Sequence, residues 1–93
     1  MFVGLCSLDL ILAENHSLKG KRQVLRRIKD RVSNKYNVSI AEVDHLDSWQ
    51  RSTLGIACVS GEKPQVERQL AKIVDFIDGL SIAVVENVHI EIL

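Results

Sequence analysis

Leu18, Leu25, Ile28, Val32 and Tyr36 recur at the spacing of one helix face, and Val66, Leu70, Ile73, Val74 and Ile77 repeat that spacing further along. A period near 3.6 buries one stripe of a helix, a period of two buries one face of a strand, and the two patterns do not interchange. The stretches around the two stripes have the second pattern. Phe2 to Ala13 reads FVGLCSLDLILA, with Phe2, Cys6, Leu8, Leu10 and Leu12 on one face and Val3, Leu5, Ser7, Asp9 and Ile11 on the other. Apolar residues on both faces suit a central strand, or one whose second face meets a partner. Val38 to His45 is more polar and reads as an edge strand. Trp49 to Ser60 puts Leu54, Ile56 and Cys58 on one face and Trp49, Arg51, Thr53, Ala57 and Val59 on the other. Ile82 to Leu93 is the last strand, with Val84, Val88, Ile90 and Ile92 inward; the same period turns Glu86 inward, so a bulge or an exposed edge is expected there.

The punctuation agrees with this division. Ser17 stands where a helix N-cap belongs, its hydroxyl able to accept from a free amide of the first turn. Asn34 to Asn37 closes that helix, and Leu46-Asp47-Ser48 supplies a turn. Pro64 fits the first position of the second helix, where a missing amide proton costs nothing, and Gly79 stops it. The order is therefore β-α-β-β-α-β. Right-handed crossovers for both split units leave one standard arrangement. It is an α+β ferredoxin-like sandwich, a four-stranded antiparallel sheet in the order 4-1-3-2 with both helices on one face. Residues 1–93 make a single domain, long enough to bury roughly 60–65% of its unfolded surface.

Charge carries the functional signal. His16 to Arg31 (HSLKGKRQVLRRIKDR) holds seven of the chain's 12 Lys and Arg residues against one acid, Asp30, although the chain is formally neutral. At about 100° per residue, Lys19, Arg22, Arg26 and Lys29 fall on one flank of the apolar stripe. Arg27 and Arg31 point to solvent, and Lys21 and Lys35 lie close enough to the stripe to snorkel. A face kept for solubility usually mixes both signs, so this clustering favours a surface that follows phosphates. The compensating acids, Glu42, Asp44, Asp47, Glu62, Glu67, Asp75 and Asp78, lie outside the first helix.

The topology also brings distant segments together. The first strand hands over to the first helix at the end where the second strand turns into the third. Asn15, His16, Ser17 and Lys19 should therefore share an end with His45, Asp47, Trp49 and Arg51. Lys19, Arg22 and Arg51 could complete an anion site there, beside the free amides of the helix start. Trp49 offers a stacking surface or a cation–π partner. Each also has a plainer role: Ser17 as a cap, His16 as a surface or capping residue, Asp47 in the turn or paired with Arg51, and Trp49 covering the core or a subunit interface.

Other classes find little support. A His, an Asp and a Ser at one end do not make a hydrolase triad, because Ser17 is engaged as a cap and no oxyanion hole is evident. No catalytic constellation, cofactor fingerprint or metal-ligand spacing stands out, so no enzyme activity, cofactor or metal is expected. Cys6 and Cys58 read as small buried thiols of a reducing cytoplasm, with a disulfide between adjacent strands as the alternative. No apolar run approaches the about 20 residues of a membrane span, and the apolar start carries Asp9 and lacks a basic leader, so neither a membrane segment nor a signal peptide is expected. Base stacking across the sheet, as in an RNA-recognition motif, lacks aromatics at the central positions of strand 1 and finds only Trp49, at the start of strand 3. The outward Val3, Leu5, Ile11, Ala57 and Val59 suit a homodimer interface instead.

His16-Ser17-Leu18-Lys19 with Lys21-Arg22, Asn37-Val38-Ser39 with Ala41-Glu42-Val43, Asp47 with Trp49-Gln50-Arg51, and the closing Ile90-Glu91-Ile92-Leu93 resemble the small bacterial YlxP-like proteins across essentially the whole chain. The resemblance implies a ferredoxin-like fold and no assigned catalytic residues. Members are often encoded beside genes for translation initiation and ribosome maturation, which implies a role near RNA or ribosome assembly. Two functions follow as expectations. One is a cytoplasmic RNA- or ribosome-associated accessory factor whose Lys19, Arg22, Arg26, Lys29 and Arg51 meet phosphates near His16 and Trp49. The other is a dimeric interaction or regulatory module that binds an acidic protein or a small anionic ligand.

Overall fold

The computed structural model describes residues 1–93, and its elements follow the expected order: β1 (Phe2–Ile11), α1 (Leu18–Lys35), β2 (Ser39–Asp44), β3 (Arg51–Ser60), α2 (Lys63–Gly79) and β4 (Val84–Ile92). The four strands form one antiparallel sheet in the order β2-β3-β1-β4, which is the expected 4-1-3-2 read from the other edge. α2 lies over β1, β3 and β4, and α1 lies over β2. The covered face holds Cys6, Leu8 and Leu10 of β1 and Leu54, Ile56 and Cys58 of β3, all buried. Leu25, Ile28 and Val32 of α1 and Val66, Leu70, Ile73 and Ile77 of α2 close over them. At Gly4 the two layers come so close that a Cβ would run into the Val66 and Leu70 side chains. A larger residue there would push α2 off the sheet.

β1 and β3 are shorter than the sequence pattern suggests, because the ladder changes into a turn. Leu12 still donates its amide to the Gln50 carbonyl at 2.9 Å, so Leu12 and Gln50 extend the pairing without being regular strand. β4 departs more. Its pairing with β1 shifts between Ser7 and Asp9, and Asn87 takes a left-handed φ of 52°. The extra residue reverses the phase of the strand. Val85 faces the core opposite Leu10, while Val84 and Glu86 face outward opposite Ile11 and Asp9. The expected inward Val84 is thus corrected, and the break expected near Glu86 is this bulge.

A second irregularity mirrors the first on the other edge. The β2–β3 pairing shifts between Glu42 and Asp44, and His45 takes a φ of 59°. Both left-handed residues turn their side chains towards one carboxylate on the open face. Asn87 Nδ2 donates to Asp9 Oδ2 at 2.9 Å, and Thr53 Oγ1 donates to Asp9 Oδ1 at 2.6 Å. Thr53 has then spent its only proton, so the His45 ring must donate from Nδ1 to Thr53 Oγ1, at 3.0 Å. Arg51 stands 3.9 Å from Asp9 Oδ2. Asp9 thereby joins β1 to β3 and β4 directly, and through Thr53 to His45, the residue that follows β2.

Cys6 and Cys58 are free and buried, diagonal neighbours on adjacent strands. Burial pushes both thiols up; the Cys58 charge adds to the rise at Cys6, and a backbone hydrogen bond from Gly4 partly offsets it at Cys58. Such thiols are inert packing groups rather than nucleophiles.

Hydrogen bonds from Thr53 and then Asn87 hold the Asp9 carboxyl below its usual range. A carboxyl with a lowered folded-state pKa contributes stability that is complete above its unfolded value and lost as pH falls through the folded one. Denaturation followed across acid pH should therefore show wild-type stability declining below about pH 4. Asp9→Asn should be less stable at neutral pH and should show a shallower decline.

Candidate functional site

The site is built at the start of α1. Ser17 is extended, at φ −155°, and its hydroxyl accepts from the Gly20 amide at 2.9 Å, so it is the expected cap. Asn15 reaches across the same turn. Its Nδ2 donates to the Ser17 carbonyl at 2.8 Å and to the Trp49 carbonyl. A Cβ on Gly20 would collide with Asn15 Oδ1, which is why a poor helix former occupies the first turn. Gln50 Nε2 completes the tie by donating to the Ala13 carbonyl at 3.1 Å and the Asn15 carbonyl at 3.3 Å. The loop after β1 and the β2–β3 turn thus share one end of the molecule, as the topology required.

Lys21 is the residue that sequence reasoning misplaced. It does not snorkel; it is 2% exposed. Its Nζ lies 2.8 Å from Glu42 Oε2 and donates to the carbonyls of His45 and Ser48, each at 2.7 Å. Glu42 Oε2 also accepts from Ser52 Oγ at 2.8 Å, and Ser52 is wholly buried. A buried ammonium is tolerable only when its protons find acceptors and its charge finds a counter-charge, and this one has both. The signal was in the pattern. Position 21 continues the Leu18–Leu25 stripe, and Glu42 takes the inward phase of Ile40 on β2. Opposite charges at two inward positions announce a buried pair.

Lys19, Arg22, Arg26 and Lys29 line a single groove of about 440 Å³ together with Gln23, Leu25 and Glu42. Neither ion pair of the protein involves any of these four cations. Glu42 belongs to β2, so the groove runs between the basic flank of α1 and the sheet edge. One acid is therefore brought into the basic surface, a departure from the separation expected from sequence. Lys35 remains exposed beyond the groove, its ammonium 4.6 Å from the Phe76 ring centre.

Three expected participants lie elsewhere. Arg51 faces the open side of the sheet opposite Ile11 and is paired with Asp9, not with Asp47, so it does not join Lys19 and Arg22. His16 is exposed in the loop before α1 and does not line the groove. Trp49 sits in the β2–β3 turn, about half exposed, and is held through its carbonyl rather than its ring. No three His, Cys, Asp or Glu side chains converge as a metal cage. No helix is long and apolar enough to cross a membrane.

Comparison with known proteins agrees with the sequence resemblance. A family described as "Protein of unknown function (DUF503)" matches residues 3–90. The uncharacterized protein YlxP of Bacillus subtilis (strain 168) is 46% identical over 77 residues, 83% of this chain and 84% of that protein. Among solved structures, the de novo designed protein Foldit4 superposes with a TM-score of 0.57 at 18% identity, over 100% of this chain and 97% of that one. At that identity the likeness is one of fold.

Removing the ammonium leaves a carboxylate and turn carbonyls without their donor. Lys21→Ala should cost about 3 kcal/mol in chemical denaturation, and Lys21→Met with Glu42→Leu should recover most of it. Gly20→Ala should destabilise the protein despite its better helix propensity, because Asn15 must give up its bonds to make room; thermal melts would show the sign.

Proposed function

The chain belongs to the DUF503 family, and because that family carries no assigned activity we propose from the groove itself that this protein is an RNA- or ribosome-associated accessory factor. The supporting observation is four cations, Lys19, Arg22, Arg26 and Lys29, from one helix flank, lining one groove without ion-pair partners. From Lys19 to Lys29 the helix rises about 15 Å, long enough to follow successive phosphates of a strand. Arginine grips a phosphate through two parallel donors, and lysine acts as a point charge. Such contacts fix position and carry little sequence information.

Zero net charge does not weaken this reading. At physiological salt a ligand senses charges within about 8 Å, so the local surface governs the encounter. The proposed location is the cytoplasm, where RNA is met and where Cys6 and Cys58 remain reduced. Leu5 and Val59 stand exposed on the open sheet face, and a second copy is the partner we propose for that side. Light scattering of the purified protein would test it, with Leu5→Lys shifting a dimer to a monomer.

Binding to ribosomal subunits and structured RNA across a salt series tests the main reading. Four phosphate contacts should give a slope of log affinity against log salt of about −3. Arg22→Glu with Arg26→Glu should lower affinity at least about tenfold. Absence of binding at low salt, or displacement of RNA by an acidic protein at far lower concentration, would transfer the groove to a protein partner.

A further inference from the structure

Glu42 is the unexpected member of the groove, and it narrows what the groove can hold. A carboxylate among four unpaired cations repels any phosphate that approaches it. Its charge is already required as the counter-charge of buried Lys21, so what points to a ligand is the oxygen that this pair leaves unused. On Glu42, Lys21 Nζ and Ser52 Oγ both reach Oε2, each at 2.8 Å. Those two bonds occupy Oε2. The other oxygen, Oε1, receives no hydrogen bond from the protein, and the side chain keeps 18% of its surface exposed while lining the groove. A carboxyl oxygen that still lacks a donor, set beside cations, matches a ligand carrying a hydroxyl next to its phosphates.

We propose that Glu42 Oε1 accepts a hydrogen bond from a ribose 2′-hydroxyl, so that the groove selects RNA over DNA. This inference rests on the phosphate reading of the same groove. A sugar hydroxyl is favoured over a base amine because it recurs on every nucleotide, at fixed distance from the phosphate. The groove needs no sequence register to find it. Deoxyribose offers no donor there. A 2′-O-methyl group offers no donor and adds bulk. The buried Lys21 gives the acceptor its aim, since an oxygen bonded to a sealed ammonium and a buried hydroxyl leaves its carboxyl little freedom to turn.

The test varies the ligand and keeps the protein unaltered, so folding is not at stake. Fluorescence anisotropy would compare one oligonucleotide sequence as RNA, as uracil-containing DNA and as fully 2′-O-methylated RNA, at several salt concentrations. A hydrogen bond to a charged group should make RNA bind roughly tenfold or more tightly than both other strands. That ratio should persist as salt rises, because the three strands carry the same phosphates. Equal affinity of RNA and 2′-O-methyl RNA overturns the hydroxyl contact while leaving the phosphate groove in place, whether or not DNA binds less well. Failure of all three strands to bind at low salt overturns the phosphate reading itself.

Discussion

One ammonium group decides how the two layers of this protein meet at their edge. Lys21 leaves water on the first turn of α1, and the cost of moving that charge inside is several kcal/mol before any partner is found. Glu42 and two turn carbonyls offset it only if α1, β2 and the turn that follows stand in one relation. Dispersion and hydrophobic burial tolerate a helix sliding or rotating by a few degrees. A buried charge with three short bonds tolerates far less. The hydrophobic stripe brings α1 to the sheet, and Lys21 sets where along β2 it stops. The basic flank then necessarily overhangs the strand edge, which is what creates the groove.

The open face has a polar counterpart to that clamp. Asp9 sits on the open face beside Thr53, Arg51 and Glu86, and donors from β3 and β4 meet it. Two residues pay backbone strain to complete the arrangement, His45 and Asn87, each at a bulge in an edge strand. Histidine and asparagine tolerate the left-handed region better than most side chains, which is why they can serve there. The two faces of the sheet are therefore joined at the turn after β2. The His45 carbonyl is held by Lys21 from the helix side, and its ring leans on Thr53 from the other.

Much of this was legible in the sequence because it rests on period and punctuation. Leu8, Leu10, Leu54 and Ile56 alternate, Ile28 and Val32 repeat at helical spacing, and Ser17 and Pro64 mark helix starts, so element order and topology followed. The flank formed by Lys19, Arg22, Arg26 and Lys29 also followed, since rotation about one helix needs no tertiary knowledge. What failed was whatever depends on a contact between distant residues. Lys21 reads as a snorkelling lysine because its partner lies on another element, and Arg51 falls in with Lys19 and Arg22 only because all three share an end of the molecule, although its strand phase already puts it on the open face. Val84 reads as inward when the period is counted back from Ile90 and Ile92, because the bulge at Asn87 displaces every position on its far side by one. The inward phase of Glu42 is readable, but its place in the groove is not, since nothing local to Glu42 says which helix flank will lie beside it.

The bulge at Asn87 has a consequence for how this protein survives at high concentration. β4 is an edge strand whose sequence, VVENVHIEI, is rich in β-branched residues and has few breakers. A flat strand of that kind is a template on which another chain can add, and repetition of that addition is the route to fibrils. The kink at Asn87 interrupts the row of outward amides and carbonyls midway, and Glu86 and Glu91 place like charges where an incoming copy would lie. The residue that spoils the regularity of the strand thus also opposes growth of the four-stranded sheet at that edge.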